Sequence, residues 1–386
     1  MQDLKMPVKI WSSIATAPMQ VATATALAGI RYWSGAFERR ATPLDVMGDW
    51  ARWVQAATVR EVPPWAHDHT VVREWPVARL LDYSAPEPGV EIATLVLPPQ
   101  AGHSSSIVDF NEGQSQMITI RDAGLDRLYT LDWLGATQAT KDYSIEDYIS
   151  IVDEAVDDIG GIVNLIGDCQ GGWLATIYAA LRPDKVNSLT IGGAPIDFHI
   201  GDGVINEWVR VMRAEQDTAV YRGVVAAGNG VYRGQNQVLG FKMLEPAAEY
   251  ERLVGLLPDI NDERAVKRYT DFTNWFEWTQ DIPGAFYLWI VEHLFGKNEL
   301  VNGQLAVGGE TVDLARISCP VNLLAGSADH ITPPVQVWAL EDYVSTPKDQ
   351  IKRELAQSGH LGLFMGRESL ASHWAPMVEA LVPISR

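Results

Sequence analysis

The stretch Gly167-Asp168-Cys169-Gln170-Gly171-Gly172 decides the predicted fold. An apolar run, 162–166, precedes it and a helical pattern, 173–181, follows it, which predicts a strand, a sharp turn and a helix. Glycines two positions before and after Cys169 allow the strand and the helix to approach closely. Free N–H groups and the helix dipole at such a helix N-terminus favour a thiolate. Cys169 is therefore a candidate nucleophile, although a lone cysteine is more often a small buried apolar residue.

Two polar residues further along the chain complete the pattern. Asp329 lies in the loop after the apolar run 321–325, and His360 lies between glycines after the predicted strand 351–356. A nucleophile, an acid and a histidine in this order, each just after a strand, are typical of α/β-hydrolases. They predict a catalytic triad in which His360 accepts the proton of Cys169 while Asp329 orients the imidazole.

The loop of small residues after the first core strand, 92–97, is predicted to form another part of the site. In α/β-hydrolases this loop supplies one backbone N–H to the oxyanion hole, and the residue after the nucleophile supplies another. The backbone N–H groups of Ala101 and Gln170 are therefore the oxyanion-hole candidates. His103 could orient this loop or contact the substrate, or it could be purely structural. His103 and His330 are also weaker alternatives for the base.

Strands alternate with helices at regular intervals in residues 89–202 and 303–386. This alternation predicts an α/β-hydrolase core with a doubly wound, mostly parallel sheet. A capping box at the start of residues 144–159 predicts a helix that covers this sheet. Residues 203–302 are mainly helical and aromatic in pattern, which predicts a helical cap, or lid, over the site. Residues 1–88 are predicted to form a separate N-terminal helical segment.

Composition excludes several classes of function. Acidic residues outnumber basic residues by 49 to 30, and the net charge of −19 opposes binding to nucleic acids and anionic membranes. Two cysteines, Cys169 and Cys319, argue against a disulfide framework and favour a reducing cytoplasm. The sequence predicts no secretory signal and no membrane span. It has no zinc-binding spacing and no nucleotide-binding glycine motif, so no metal and no bound cofactor are predicted.

Several of these motifs together resemble the polyhydroxyalkanoate synthases and the related intracellular polyhydroxyalkanoate depolymerases. The stretch around Cys169 is similar to the synthase box Gly-x-Cys-x-Gly-Gly, and the resemblance extends over residues 90–380. Further synthase-like segments are 281–287, 298–300, 312–321, 329–333 and 359–362. The resemblance implies Cys169 as the nucleophile, with Asp329 and His360 as its partners. It also implies that His330 supports these partners.

Two segments depart from the synthase pattern. Residues 99–103 and 192–197 are similar to the depolymerases instead. A thiolate attacks thioesters well and leaves readily, so a cysteine suits acyl transfer to an alcohol without excluding transfer to water. The resemblance therefore implies an acyltransferase acting on 3-hydroxyacyl-CoA, with CoA only as part of the substrate. The alternatives are a depolymerase or related thiol (thio)esterase and, as a minor one, a non-catalytic granule-associated protein.

The N-terminal segment is unusually dense in aromatic residues. Packing onto the core is the simpler interpretation, and contact with an apolar polymer surface or a partner subunit is the alternative. The resemblance implies a cytoplasmic protein whose partners are an acyl-CoA or polyester substrate, and it allows a granule surface, a second subunit or another copy of the chain. The aromatic residues are Trp33, Phe37, Trp50, Trp53, Trp65 and Trp75.

Overall fold

The computed structural model describes residues 8–211, 217–244 and 246–386. The chain forms two compact units. The larger unit contains Pro64–Gly234 and Gln280–Arg386. The smaller unit contains the chain up to Pro63 together with Gln235–Thr279.

An eight-stranded sheet forms the centre of the larger unit. Its strands are β1 (Thr70–Trp75), β2 (Ala78–Asp82), β3 (Ala93–Leu97), β4 (Leu128–Trp133), β5 (Val163–Asp168), β6 (Val186–Gly192), β7 (Val321–Gly326) and β8 (Ile351–Ala356). They are arranged in the order β1-β2-β4-β3-β5-β6-β7-β8. The pairs β1–β2 and β2–β4 are antiparallel, and the other pairs are parallel. The predicted α/β-hydrolase sheet is confirmed.

The strand β5 lies in the middle of this sheet, between β3 and β6. All six of its residues are buried, as expected for a central parallel strand that is covered on both faces. The order of the strands reverses beside it, and ligands of open α/β sheets bind at such a reversal, beyond the carboxyl ends of the strands. The topology therefore places Cys169, the residue after β5, where a site is expected.

The α-helices follow the predicted alternation in the core. In chain order they are α1 (Val8–Glu38), α2 (Pro43–Thr58), α3 (Gln116–Asp122), α4 (Ile145–Asp158), α5 (Gln170–Leu181), α6 (Val204–Val211), α7 (Ala219–Ala227), α8 (Gly234–Leu244), α9 (Pro246–Leu256), α10 (Glu263–Glu277), α11 (Gly284–Trp289), α12 (Pro334–Trp338), α13 (His360–Met365), α14 (Arg367–Ser369) and α15 (Ala375–Glu379). The helix predicted from the capping box is α4. Its first turn is held by the Asp147 carboxylate, which accepts the backbone N–H of Ser144 at 2.7 Å.

The N-terminal segment, predicted as helical over residues 1–88, contains two strands as well as two helices. The helices α1 and α2 agree with the prediction where the chain is described, and residues 1–7 lie outside the described residues. The prediction is wrong for β1 and β2, which form an antiparallel hairpin at the edge of the central sheet. Most residues of β1 are exposed, so the hairpin lacks the apolar run that marked the central strands.

The predicted cap, 203–302, is divided between the two units. Its first and last parts belong to the larger unit, and residues 235–279 belong to the smaller one. The two parts in the larger unit meet in a short antiparallel ribbon formed by Val231–Tyr232 and Ile282–Pro283. The predicted cap is therefore not a single domain. Its middle part belongs with the N-terminal segment, because α9 packs against α1.

The smaller unit has its own apolar core, formed by α1, α2 and the chain around α9. Tyr32, Leu256 and Ile260 are buried in this core. Asp49 of α2 is fully buried and accepts hydrogen bonds from the Tyr32 hydroxyl at 2.9 Å and the Asn261 amide at 3.0 Å. Within the described part of the chain, no helix has the length and apolarity that crossing a membrane requires.

Candidate active site

Cys169 lies at the turn between β5 and α5, with a positive φ of 51° and a ψ of −114°. A non-glycine residue in such a conformation costs on the order of 1–3 kcal/mol, so the surrounding structure must hold it in place. The Cys169 N–H donates to the Gly192 carbonyl of β6 at 2.8 Å, and the Gly172 N–H donates to the Cys169 carbonyl at 3.0 Å. This arrangement matches the strained strand-to-helix turn that presents the nucleophile in α/β-hydrolases.

The glycines around Cys169 are required by close backbone contacts. A Cβ atom added to Gly167 would lie 2.4 Å from the carbonyl oxygen of Gly171. A Cβ atom added to Gly171 would lie 1.9 Å from the carbonyl oxygen of Leu97, the last residue of β3. A Cβ atom added to Gly172 would lie 2.3 Å from the Ala194 Cβ atom. The predicted reason for these glycines is therefore correct, and Gly171 also brings the loop after β3 against the turn.

His360 and Asp329 are brought together although 31 residues separate them along the chain. Asp329 follows β7 and His360 begins α13, after β8. The His360 Nδ1 atom lies 2.7 Å from Asp329 Oδ2, and both side chains are buried. Asp329 Oδ1 accepts the backbone N–H groups of Ile331 at 2.9 Å and Thr332 at 2.8 Å. The carboxylate is therefore fixed by its own loop and can fix the imidazole in turn.

His360 also interacts with Cys169, through charge and a hydrogen bond. Burial alone would lower the pKa of His360, but the charge of Cys169, the charge of Asp329 and hydrogen bonds to both raise its pKa well above the usual value. A raised pKa means that the folded environment stabilises an imidazolium. The arrangement can therefore support a thiolate–imidazolium pair in which Asp329 stabilises the positive charge.

The loop after β3 lies beside the N-terminus of α5. The Trp133 Nε1–H donates to the Pro98 carbonyl at 2.8 Å, and the Gln280 N–H donates to the Gly102 carbonyl at 2.9 Å, so both ends of the loop are held. Ala101 lies between these two anchors. Gln170 is the first residue of α5, and the first N–H groups of a helix have no partner within the helix. The structure thus brings the two predicted oxyanion-hole segments to the same turn.

The two other predicted histidines lie in different surroundings. His103 is buried in the loop after β3. The His330 side chain is exposed, and its backbone carbonyl accepts the Val204 N–H of α6 at 3.0 Å. Their roles as supporting or substrate-contacting residues stay predictions.

Aromatic side chains from the core and from the last part of the cap pack together near α5. Phe286 of α11 stacks on Tyr148 of α4 with ring centroids 4.1 Å apart, and its centroid lies 6.2 Å from that of Trp173 of α5. The hydroxyl of Tyr148 accepts a hydrogen bond from the Gln100 side chain, in the loop after β3. This cluster is part of the buried core, and through Gln100 it is connected to the loop that carries Ala101.

Asp168 is a residue of the site whose importance was not evident from the sequence. Its side chain is fully buried directly before Cys169, and its Oδ1 atom accepts the Gln116 Nε2–H of α3 at 3.2 Å. Burial raises the pKa of Asp168 to about 8, against the opposing effects of Gln116 and His360. The quoted stretch contains Asp168, but the partner Gln116 lies 52 residues earlier and carries no motif.

Metal ligands were not predicted, and the described residues contain no group of three or more His, Cys, Asp or Glu side chains that could hold a metal ion. Two histidines outside the site each lie beside a single carboxylate. Nδ1 of His67 lies 2.6 Å from Asp109, and Nδ1 of His293 lies 2.6 Å from Glu299. Whether the protein uses a cofactor stays a prediction.

Several known proteins are similar to this chain over most of its length. The family described as "Protein of unknown function (DUF3141)" matches residues 90–381. The poly(3-hydroxyalkanoate) polymerase subunit PhaC of Allochromatium vinosum is 29% identical over 296 residues, which are 74% of this chain and 80% of that protein. The protein of the same name from Haloferax mediterranei is 26% identical over 328 residues, which are 83% of this chain and 65% of that protein.

A solved structure with a similar chain is the monoacylglycerol lipase of Paleococcus ferrophilus. Its TM-score is 0.48 at 17% sequence identity, and the match covers 80% of this chain and 99% of that chain. The family match covers well over half of this chain, and the central sheet has the order and directions described above. The chain therefore belongs to the DUF3141 family, and it is an enzyme of the α/β-hydrolase type related to poly(3-hydroxyalkanoate) polymerase subunits.

Proposed function

We propose that this enzyme is a cysteine-dependent acyltransferase that takes 3-hydroxyacyl groups from CoA thioesters. One observation carries the proposal: His360 is held by Asp329 at 2.7 Å and also interacts with Cys169 on the strained turn after β5. The relationship to polymerase subunits supports the choice of substrate. CoA enters only as part of the substrate, and the proposed chemistry needs no metal or bound cofactor.

In the first half of the proposed reaction, the Cys169 thiolate attacks the thioester carbonyl carbon. The carbonyl oxygen becomes an oxyanion, which the backbone N–H groups of Gln170 and Ala101 stabilise. Losing one such donor typically costs about 3–4 kcal/mol of barrier. The carbon–sulfur bond to CoA then breaks, the CoA sulfur leaves as a thiol with the proton held by His360, and the acyl group stays on Cys169.

In the second half, an acceptor O–H attacks the acyl group on Cys169. His360 takes the acceptor's proton as the new carbon–oxygen bond forms, and the bond to the Cys169 sulfur breaks. If the acceptor is the terminal hydroxyl of another hydroxyacyl chain, the product is one ester unit longer. If the acceptor is water, the product is a free hydroxy acid. The relationship to polymerase subunits favours chain transfer.

Hydrolysis of polyesters or hydroxyacyl esters is the second candidate function. The loop Ala101-Gly102-His103 favours it, since this loop resembles the depolymerases and His103 is buried within it. A granule-associated protein without activity is the third candidate. The positions of His360 and Asp329 argue against it, because an inactive protein has no need to keep this pair beside Cys169.

A paired assay separates these candidates. The protein is given 3-hydroxybutyryl-CoA, and free CoA and polymer are measured; in parallel it is given amorphous poly(3-hydroxybutyrate), and released monomer is measured. Polymer in the first reaction is expected. Monomer from the second reaction alone would replace the transferase with the hydrolase, and Cys169→Ala activity equal to wild type in either assay would disprove the triad.

We also propose that the exposed side of α1 and α2 contacts an apolar surface, such as that of a cytoplasmic polymer granule or a partner subunit. Large apolar side chains on these helices are unusually exposed, including Ile30 at 65%, Phe37 at 79% and Leu44 at 77%. Exposed apolar patches of this kind often mark interaction surfaces. The curated relatives are named as subunits, which supports a partner or a second copy of the chain.

Co-sedimentation with amorphous poly(3-hydroxybutyrate) particles tests this surface. The double variant Phe37→Ser, Leu44→Ser is expected to lower the bound fraction several-fold without changing the melting temperature, because both side chains are exposed. The matched control is Leu355→Ser, which removes a 41% exposed side chain from β8. Equal binding by all three proteins would exclude this surface for polymer, and elution of the wild-type chain as a larger assembly would favour a protein partner.

A further inference from the structure

Asp168 is a carboxyl group in surroundings that do not suit a negative charge. Its side chain is fully buried, and its Oδ2 atom has no hydrogen-bond partner among the described residues. A Cβ atom added to the neighbouring Gly192 would lie 3.2 Å from Asp168 Oδ1, 3.0 Å from the Trp374 ring and 3.3 Å from the Phe364 ring. The uncharged backbone of Gly192 therefore lies close to this carboxyl group, and the Trp374 and Phe364 rings lie close to the same glycine.

Asp329, the other buried carboxyl group of the site, has hydrogen bonds that stabilise a negative charge. It accepts two backbone N–H groups and faces the His360 ring. Asp168 accepts one side-chain N–H, from Gln116. A buried carboxylate with one neutral donor is costly, and such a group normally binds a proton instead. The two carboxyl groups are thus expected to differ in charge.

The contact with Gln116 supplies a second observation. The Gln116 Oε1 atom is also buried without a hydrogen-bond partner among the described residues. A carboxylic acid can exchange two hydrogen bonds with a side-chain amide, whereas a carboxylate can only accept. A proton on Asp168 would turn this group into a donor, and the amide that already contacts Asp168 has an acceptor, Gln116 Oε1, without a partner.

We propose that Asp168 is an uncharged carboxylic acid in the folded protein and acts as a positioning residue for the Cys169 thiolate. This rests on the proposed function, since it concerns the same nucleophile, but it holds whichever acceptor takes the acyl group. An ionised Asp168 would place a second negative charge next to the thiolate and compete with it for the positive charge of His360. The proton on Asp168 removes that competition.

The ionisable groups that surround Asp168 are few. Cys169 follows it on the same turn, and His360 faces it from α13 with Asp329 behind the ring. The packed groups from the other elements, including Gln116 of α3 and Gly192 of β6, carry no charge. Burial raises the pKa of Asp168 to about 8, while Gln116 and His360 oppose this shift. Asp168 is therefore expected to lose its proton above about pH 8. Cys169 should then react more slowly than it would beside a neutral residue.

Alkylation by iodoacetamide across a series of pH values tests the proposal on the intact chain, with mass spectrometry of the peptide containing Cys169 as the readout. A plot of the wild-type alkylation rate against pH is expected to show a break, that is, a change of slope, near pH 8. At higher pH the wild-type rate should fall roughly tenfold below that of Asp168→Asn, as expected for one added nearby charge. Asp122→Asn, which removes a 70% exposed carboxylate from α3, should keep the break. A break that persists in Asp168→Asn would overturn the proposal.

A second measurement needs no variant that might fail to fold. The carboxyl carbons of aspartate residues are labelled with carbon-13, and their chemical shifts are followed with pH in the wild-type protein. A resonance that stays protonated at neutral pH and titrates near pH 8 is expected, and Asp168→Asn, used only to assign this resonance, should lack it. If every aspartate is ionised at neutral pH, the proposal is wrong. Neither experiment uses an acyl substrate, so failure here and failure of the proposed function can be told apart.

Discussion

Replacing Asp329 with asparagine tests how the site orients His360. Asp329 Oδ1 accepts two backbone N–H groups, from Ile331 at 2.9 Å and Thr332 at 2.8 Å, while Oδ2 faces His360 Nδ1 at 2.7 Å. An asparagine has one acceptor oxygen, and the two backbone donors require it at the Oδ1 position. Its NH₂ group would then face Nδ1, where it can only donate. The imidazole would have to carry its proton on Nε2, the atom that should accept the proton of Cys169.

The expected loss follows from this tautomer change. In a serine triad the same type of substitution lowers kcat by about 10⁴-fold. A thiol is more acidic than a hydroxyl and depends less on its base, so we expect a loss of roughly 10²- to 10⁴-fold, or about 3–5 kcal/mol of barrier. The fold should be almost unaffected, because asparagine has nearly the volume of aspartate and keeps both backbone hydrogen bonds.

The assay measures CoA release from 3-hydroxybutyryl-CoA by wild-type and D329N protein, with the melting temperature of each as the test of folding. The variant Asp122→Asn is the control, since it makes the same chemical change at an exposed position of α3. Because Asp329 raises the pKa of His360, D329N should also alkylate more slowly at Cys169 near neutral pH. Wild-type turnover by a folded D329N protein would refute this account of the triad.

Three further variants test the turn, the buried acid and the aromatic cluster around Phe286. Gly171→Ala places a Cβ atom 1.9 Å from a backbone oxygen of β3 and should lower the free energy of unfolding in urea by about 3 kcal/mol or more. The control is Gly240→Ala, which has open space around it and should stabilise the protein by about 0.5–1 kcal/mol. Equal effects of the two substitutions would contradict the close approach of β3 to the turn. Folded Asp168 keeps its proton up to about pH 8 but the unfolded residue loses it near 3.8, so the folded state binds more protons between these values and loses stability as the pH rises. Asp168→Asn should therefore gain stability relative to wild type across this window, by at most about 1.4 kcal/mol per pH unit in urea titrations, and a difference independent of pH would count against a neutral Asp168. Phe286→Ala removes the buried ring stacked 4.1 Å from Tyr148 and should cost about 3–5 kcal/mol of stability in urea titrations. An unchanged free energy of unfolding would contradict its place in the core.

The central strands and the nucleophile turn could be predicted because local sequence determines them. The run before Cys169 is apolar since β5 is buried on both faces, and Gly167 is required by a contact with Gly171, within the turn itself. The prediction at β1 failed because the exposed residues of this edge strand leave no apolar run. The division of the predicted cap was not predictable either, since it depends on packing between α1 and α9, which lie more than 200 residues apart.

The same distinction applies to the site. The pairing of Asp329 with His360 was predicted from chain order, because this fold places loops after successive parallel strands at one edge of the sheet. The pairing of Asp168 with Gln116 was not predicted, since α3 reaches the turn only through tertiary packing. The exposure of His330 likewise depends on how its loop folds back towards α6, and no local pattern reports it.

The most direct test of the proposed function is to trap the acyl group on the enzyme. Wild-type protein is mixed with 3-hydroxybutyryl-CoA, quenched in acid within the first turnovers, digested and examined by mass spectrometry. The account predicts a hydroxybutyryl group on the peptide containing Cys169, none on the half-buried Cys319, and none on either peptide in Cys169→Ala. CoA release without acylation of Cys169, or with acylation of Cys319 instead, would contradict the assignment of Cys169 as the nucleophile.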